Sequence, residues 1–435
     1  MRPFSAHYVE FPLNSRRRSA LFLCLAGLAT LVGCAEAIRI AAATALGNSA
    51  RIADVQKALA LDPFNPALHH WLSQLEGDSL EPAGLARALS EARRATTLNP
   101  HQAQYWLTLA STCESAHDSA CADQASERAL LLSPMAPQVW WTAGNHYLRA
   151  DRPASALSCF HRLLELSPEY AAPVFDLTLR AYRDPAMMFE KVVAGAHDPR
   201  ALLAFADFMS ANREFDAAQR AWTAMASVNS PFAFAAVQPY LERLLAHGRY
   251  QEAQTVWRDL ERRGVIAAPA ENAQGNLVFN GGFEQPPLGA GFDWRAQASS
   301  DVILDFADAS PHDGARCLRL DFPVAQNDEF EPVYQIVPVL PNQDYTLAAY
   351  VRSSEITSDS GPRLRVTDPA CPSCLDASTD AAVGTTLWHA VSLSFSTGPR
   401  TPAVRVAVWR PRSRVFPMEI SGSFWVDTVC LRAGR

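Results

Sequence analysis

Four residues near the C-terminus, Tyr350, Arg352, Arg365 and Trp409, are of types that hold a sugar. An aromatic ring stacks on the apolar face of a pyranose, and a guanidinium gives paired hydrogen bonds to hydroxyl or carboxylate groups. Each lies in a segment of alternating apolar residues. Tyr345, Leu347, Ala349 and Val351 should face a core and leave Tyr350 and Arg352 outside. By the same alternation Arg363 and Arg365 oppose Leu364 and Val366, while Arg405 and Trp409 oppose Val404, Val406 and Val408. We expect these outward residues to share one surface. The plainer alternative is that arginine solvates an exposed sheet, because the chain is arginine-rich with only Lys57 and Lys191 as lysines.

Other reactive residue types do not form a catalytic pattern. There is no glycine-rich phosphate loop, Gly-x-Ser-x-Gly elbow or His-Glu-x-x-His, and the 11 histidines show no ligand spacing. His69-His70 reads as packing on a helix. The acidic run Asp328, Glu329 and Glu331 reads as a solvated loop rather than a glycosidase pair. Cys371-Pro372-Ser373-Cys374 lacks the second pair of a zinc site and the strand and helix of a redox motif, so a local disulfide is expected. Cys113 and Cys121 either pair across facing helices or remain buried thiols. The chain is expected not to be an enzyme.

The sugar-type residues need a sheet to hold them. From about Ala267 Pro, Gly, Asn and Thr rise around short alternating segments at 316–322, 334–339, 345–352, 363–366, 389–396, 404–409 and 423–431, spaced as in a two-sheet sandwich. The phrases Asn280-Gly281-Gly282-Phe283-Glu284, Phe292-Asp293-Trp294, His312-Asp313-Gly314, Leu340-Pro341-x-x-x-Tyr345 and Phe424-Trp425-Val426-Asp427 follow in order. Together they resemble the jelly-roll carbohydrate-binding modules of bacterial xylanases over about residues 276–432. That resemblance implies a polysaccharide ligand and a structural calcium at Glu284 and Asp427, with carboxylates capping loop amides as the alternative. Trp294, Trp388 and Trp425 are expected in the core.

Upstream, Leu-x-Pro recurs at Pro100, Pro134 and Pro168, at intervals of 34 residues, with Pro63 a further 37 back and a loop insertion expected around Gly77-Asp78-Ser79. Ala88, Ala122 and Ala156 keep the same beat, as do Trp106, Trp140 and Val174. The phrase Trp140-x-x-Ala143-Gly144-x-x-Tyr147, then Ala156-x-x-x-Phe160 and Pro168, resembles the tetratricopeptide repeat, a stack of paired helices. Degenerate copies follow around Ala218-x-x-x-Trp222 and Ala253-x-x-x-Trp257, with an irregular helix pair expected between Asp184 and Arg200. Such an array binds protein in a concave groove. First-helix positions left free by the repeat assign that groove to Gln104, Leu107, Ser111, Trp141, Asn145, Phe175 and Tyr182.

At the N-terminus Arg16-Arg17-Arg18 precedes the apolar run Ala20 to Val32, ending in Leu31-Val32-Gly33-Cys34. This order reads as a secretory signal that is either an uncleaved membrane anchor or a lipobox with Cys34 as the lipidated residue. Either would place the rest of the chain in the periplasm or at the cell exterior of a bacterium. A net charge of −7 with no basic block downstream argues against nucleic acid. The expected organisation is a signal or anchor (1–47), a tetratricopeptide helical solenoid (48–264) and a jelly-roll β-sandwich (265–435), α followed by β. The expected role is a non-catalytic envelope scaffold in polysaccharide assembly or export. A glycan-active enzyme with an unrecognised site, and a structural protein whose sandwich caps the solenoid, are the alternatives.

Overall fold

The computed structural model describes residues 16–78, 83–196, 198–269, 275–297, 301–308, 310–416 and 418–434. Ser79 of the expected loop insertion and the first fifteen residues lie outside them. Helices fill the N-terminal part and two antiparallel sheets the C-terminal part, as a helical solenoid followed by a β-sandwich. The chain forms two compact units, Met1–Tyr170 and Ala171–Arg435. Their boundary falls inside the repeats, and the last helices cluster with the sandwich.

The first unit contains α1 (Arg16–Gly47), α2 (Ile52–Leu61), α3 (Pro66–Gly77), α4 (Gly84–Leu98), α5 (Ala103–Ser115), α6 (Ser119–Leu132), α7 (Pro137–Arg149) and α8 (Pro153–Leu166). Successive helices pair as hairpins. The period has a hydrogen-bond basis. Trp106 Nε1 donates to the Pro100 carbonyl and Trp140 Nε1 to the Pro134 carbonyl, both at 2.9 Å. His69 Nε2 lies 3.0 Å from the Pro63 carbonyl, so an imidazole takes the indole's place in the earlier copy. The phrases ending at Pro63, Pro100 and Pro134 thus each end one helix and offer a carbonyl to the ring six residues on, whereas Pro168 is followed at that position by Val174. Between the helices of a hairpin, His117 and Asp151 take positive φ (59° and 53°). The N–H that follows returns to the carbonyl five residues back, Asp118 to Cys113 and Arg152 to Tyr147, each at 2.9 Å. This is a Schellman stop written without glycine. Small residues admit their neighbours: a Cβ on Gly144 would meet the Phe160 ring at 2.6 Å.

Helix α1 differs. It is 32 residues long, with a mean hydropathy of 2.1 over its most apolar window, and its apolar side chains from Leu21 to Ile40 are exposed. The helix runs on through Glu36 and Arg39. Arg39 pairs with Glu36 and donates to the Leu61 carbonyl of α2, and Ala43 is buried, so its last turns already belong to the first hairpin.

The second unit continues with α9 (Ala171–Tyr182), α10 (Pro185–Met188), α11 (Pro199–Ala211), α12 (Phe215–Ala224), α13 (Phe234–Ala246) and α14 (Tyr250–Arg262). Between Asp184 and Arg200 the expected irregular pair is instead the four-residue α10 running into a single π turn, Phe189–Val193. The sandwich follows with β1 (Arg295–Ala296), β2 (Ile303–Asp308), β3 (Cys317–Ala325), β4 (Phe330–Pro338), β5 (Asp344–Ile356), β6 (Arg363–Thr367), β7 (Asp376–Ser378), β8 (Gly384–Ser396), β9 (Ala403–Arg410) and β10 (Ile420–Ala433). One sheet runs β1-β4-β9-β6-β7 and the other β2-β3-β10-β5-β8. Leu318, Leu320, Val333, Leu347, Val406 and Phe424 fill the space between them.

Within this unit the helices are joined to the sandwich. Buried Trp257 of α14 meets Phe279 and Phe292 edge-on, with centroids 5.1 and 5.8 Å away. Glu242 of α13 accepts the Gly291 N–H at 2.7 Å and pairs with Arg295 of β1 at 2.8 Å. Gly291 is required here, because its φ is +62° and a Cβ would lie 2.1 Å from Trp257.

Candidate binding surfaces

In the first unit a cavity of ≈ 450 Å³ opens beside α3 and α5. Gln104, Leu107 and Ser111 line it, three of the seven residues assigned to a groove, together with Gln74, Thr108 and Ser115. Leu107 is buried and forms floor rather than rim. Thr112 donates to the Thr108 carbonyl and Ser115 to the Ser111 carbonyl, so hydroxyls are bonded along the helix and present their lone pairs outward. Among the described residues Asp78 is the only charged one that lines it.

The remaining groove residues divide. Trp141 is half-buried against Phe160 and Tyr170, with centroids 6.1 and 5.7 Å away, and Asn145 donates to the Trp141 carbonyl at 2.8 Å. Neither lines the cavity. Phe175, in the second unit, is a core residue: fully buried, it meets Phe205 edge-on at 5.2 Å. Its assignment to a groove is corrected, because the ring turns inward onto Phe205 and Phe208 of α11. Tyr182 in the same helix is half-buried.

Alternation places the sandwich residues outward as expected, but on different sheets. Tyr350 and Arg352 belong to β5, whereas Arg365 belongs to β6 and Trp409 to β9 of the opposite sheet. A single shared face is therefore excluded. The register Arg363↔Trp409 and Arg365↔Ala407 sets Arg365 over the Trp409 ring at 4.2 Å. Arg365 also pairs with Asp376 at 2.7 Å and Glu331 at 3.2 Å, and Trp409 Nε1 donates to Glu329 at 2.9 Å. Hydrogen bonding to Asp376 raises the Arg365 pKa, and the same guanidinium holds Asp376 below its ordinary value. Arg405 extends the network to Glu331 and lies over Tyr334 at 3.7 Å. The acidic run expected to be solvated is thus the counter-charge of an arginine ladder.

The other sheet is similarly self-engaged. Arg352 and Arg319 cover the Trp425 ring at 4.3 and 5.2 Å, and the His312 imidazole stacks on Tyr350 at 3.5 Å. Of the three tryptophans expected in the core, Trp294 is there, Trp425 is buried on the outer side by the arginines, and Trp388 is half-exposed near His312.

Glu284 and Asp427 meet the same loop. Glu284 Oε1 accepts the N–H groups of Ala315 (2.8 Å) and Arg316 (3.1 Å). Asp427 Oδ2 accepts those of His312 (2.8 Å) and Asp313 (3.0 Å), and burial raises its pKa. A calcium ion needs converging oxygens, and these carboxylates converge on amide hydrogens. No group of three or more metal-ligating side chains gathers among the described residues. The arrangement has the loop-capping contacts that were the alternative to a calcium site. Cys113 pairs with Cys121 and Cys371 with Cys374, whereas Cys159 and Cys317 are buried thiols whose pKa burial pushes up to about 12.

No known family profile matches the chain, and no curated protein matches it. Among solved structures, it is similar to a CBM4 structure (10% identity, 36% of this chain and 99% of that one, TM-score 0.28). It is also similar to MamA (16% identity, 46% and 90%, TM-score 0.27). A third likeness is to the CBM22-1 xylan-binding domain of Xyn10C from Paenibacillus barcinonensis (14% identity, 35% and 90%, TM-score 0.24).

Proposed function

We propose that the chain is a non-catalytic scaffold of the bacterial envelope, held to a membrane by α1, which receives an extended protein segment in the cavity beside α5. The carrying observation is the near-neutral lining of Gln104, Leu107 and Ser111 over a preformed volume of ≈ 450 Å³. Amide and hydroxyl groups there suit the backbone of an uncharged peptide better than an acidic or basic one. The two disulfides suit an oxidising compartment, and Arg16-Arg17-Arg18 before the apolar helix suits a cytoplasmic N-terminus. Polysaccharide assembly or export is the setting we favour. A photo-crosslinker at Ser111 should capture a protein partner in intact cells, and Gln104→Arg should abolish the adduct. Adducts no more frequent than from exposed Glu127 of α6 would refute the groove.

For the sandwich, the Trp257 junction favours a structural cap on the last hairpins. A polysaccharide ligand remains the second reading, through Arg365 and Trp409 on one side or Tyr350 and Arg352 on the other. Any sugar stacking on those rings must first displace Arg365 or His312. Full-length protein on a broad glycan array, with Trp409→Ala and Tyr350→Ala as controls, decides between the two. Sugar release in the same assay would instead indicate an enzyme.

A further inference from the structure

The end of the sandwich remote from the helices carries a cluster that the readings above leave unused. Residues 411–419 join β9 to β10, and the base of this loop is firmly held. Arg410 is fully buried and donates to the carbonyls of Asp328 and Met418 (both 2.9 Å) and of Gln326 and Ser360 (both 3.2 Å). Buried Ser413 donates its hydroxyl to Asp359 at 2.5 Å and its N–H to Asn327 Oδ1 at 2.7 Å, and Asn327 returns a bond to the Ser413 carbonyl at 2.9 Å. What this frame presents is apolar: Val415 is 57% exposed, Phe416 88% and Met418 44%. Arg412, which pairs with Asp328 at 2.9 Å, and Arg414 are exposed beside them, as is Glu419.

Neighbouring strand ends add to the cluster. Ile356 of β5 pairs with Gly384 of β8, and the Thr357 N–H donates to the Ser421 carbonyl of β10 at 3.2 Å. The start of β8, with Val383 47% and Leu387 86% exposed, therefore lies at the same end as the loop. The chain arrives from the helices at the other end, where the Leu277 N–H donates to the Leu431 carbonyl at 3.0 Å. The residues of β10 from Ile420 to Leu431, at about 3.3 Å each, set the two ends roughly 35 Å apart.

We propose that this loop is a second membrane contact: Val415, Phe416 and Met418 enter the interfacial region of a bilayer, and Arg412 and Arg414 engage anionic lipid phosphates. Three such side chains offer roughly 400 Å² at most, about half of what one partner contributes to a stable protein interface. They also form a projecting tip rather than a groove, and the flanking guanidiniums match the headgroup layer beneath which apolar side chains would sit. The same chain supplies the apolar helix that would keep it near a bilayer, so the inference rests on α1 being an anchor.

The test uses the full chain in nanodiscs containing phosphatidylglycerol, with p-benzoylphenylalanine in place of Phe416, or in place of exposed Asn342 at the opposite end of the sandwich as control. Lipid adducts identified by mass spectrometry should be about tenfold more abundant at 416 than at 342. They should fall about fivefold for each of Arg412→Gln and Arg414→Gln, and likewise in discs of phosphatidylcholine alone. Chain recovered in discs without excess adducts at 416, or with adducts to protein rather than lipid, overturns the loop's role and leaves the anchor standing. Chain that stays out of the discs overturns the anchor and this proposal together.

Discussion

Replacing Trp257 by alanine should uncouple the sandwich from the helices that precede it. The indole is buried at the junction, meeting Phe234, Phe279 and Phe292 edge-on with centroids 6.1, 5.1 and 5.8 Å away. Removing a buried tryptophan costs about 3–5 kcal/mol through lost transfer energy and the cavity left behind. The Glu242–Arg295 pair would remain, but the cost of taking the largely buried Arg295 guanidinium out of water offsets much of what the pair contributes. For a unit of this size, a loss of about 4 kcal/mol lowers Tm by roughly 10 °C. Because Trp257 joins α14 to Phe279 and Phe292 of the sandwich, calorimetry of the full chain in detergent should also show a single transition of the second unit splitting into two. Gly291→Ala should act in the same direction, since its Cβ would collide with Trp257 from a left-handed backbone. A Trp257→Ala protein that melts within about 2 °C of wild type as one transition would refute the junction as an energetic unit and, with it, the cap reading.

Asp151→Gly should stabilise the first unit by about 1 kcal/mol in urea unfolding, because a β-carbon is strained at its φ of 53° while the Arg152–Tyr147 backbone bond is kept. Burial raises Asp293 from 3.8 to about 6, so the folded state holds that proton more tightly than the unfolded chain does. Stability from this group is therefore greatest below pH 4 and declines as pH rises through 6; wild type should lose roughly 2–3 kcal/mol relative to Asp293→Asn between pH 4 and 7. A gap independent of pH would refute the shift. Cys34→Ala should abolish lipid labelling and processing if Cys34 is a lipidation site, and should change neither if α1 is an uncleaved anchor; cytoplasmic soluble protein would exclude both.

Residue type and spacing alone determined the paired-helix array, the change to β structure and the inward set of each long strand. These follow from local periodicities: 34 residues for a hairpin that packs only on its neighbours, and two for a strand with one wet face. Seven of the ten strands among the described residues were legible on that basis. Strand β2, an edge strand interrupted by Asp305, and the short β1 and β7 were not, since little of them is buried. The indole bond from Trp106 to Pro100 was implicit in the period but needed coordinates to be seen.

Only tertiary structure decided which outward residues are neighbours. Alternation says that Tyr350 and Trp409 both leave the core, but sheet membership is fixed by non-local pairing, and that pairing puts them on opposite sides. Glu284 and Asp427 were legible as a pair, yet their partners are amides of a loop far from both in sequence. The inward turn of Phe175, the self-engaged arginine ladder and the Trp257 junction likewise arise from which surfaces meet. A sequence pattern records how much of each side chain must be buried; against what it is buried is a property of the packed chain.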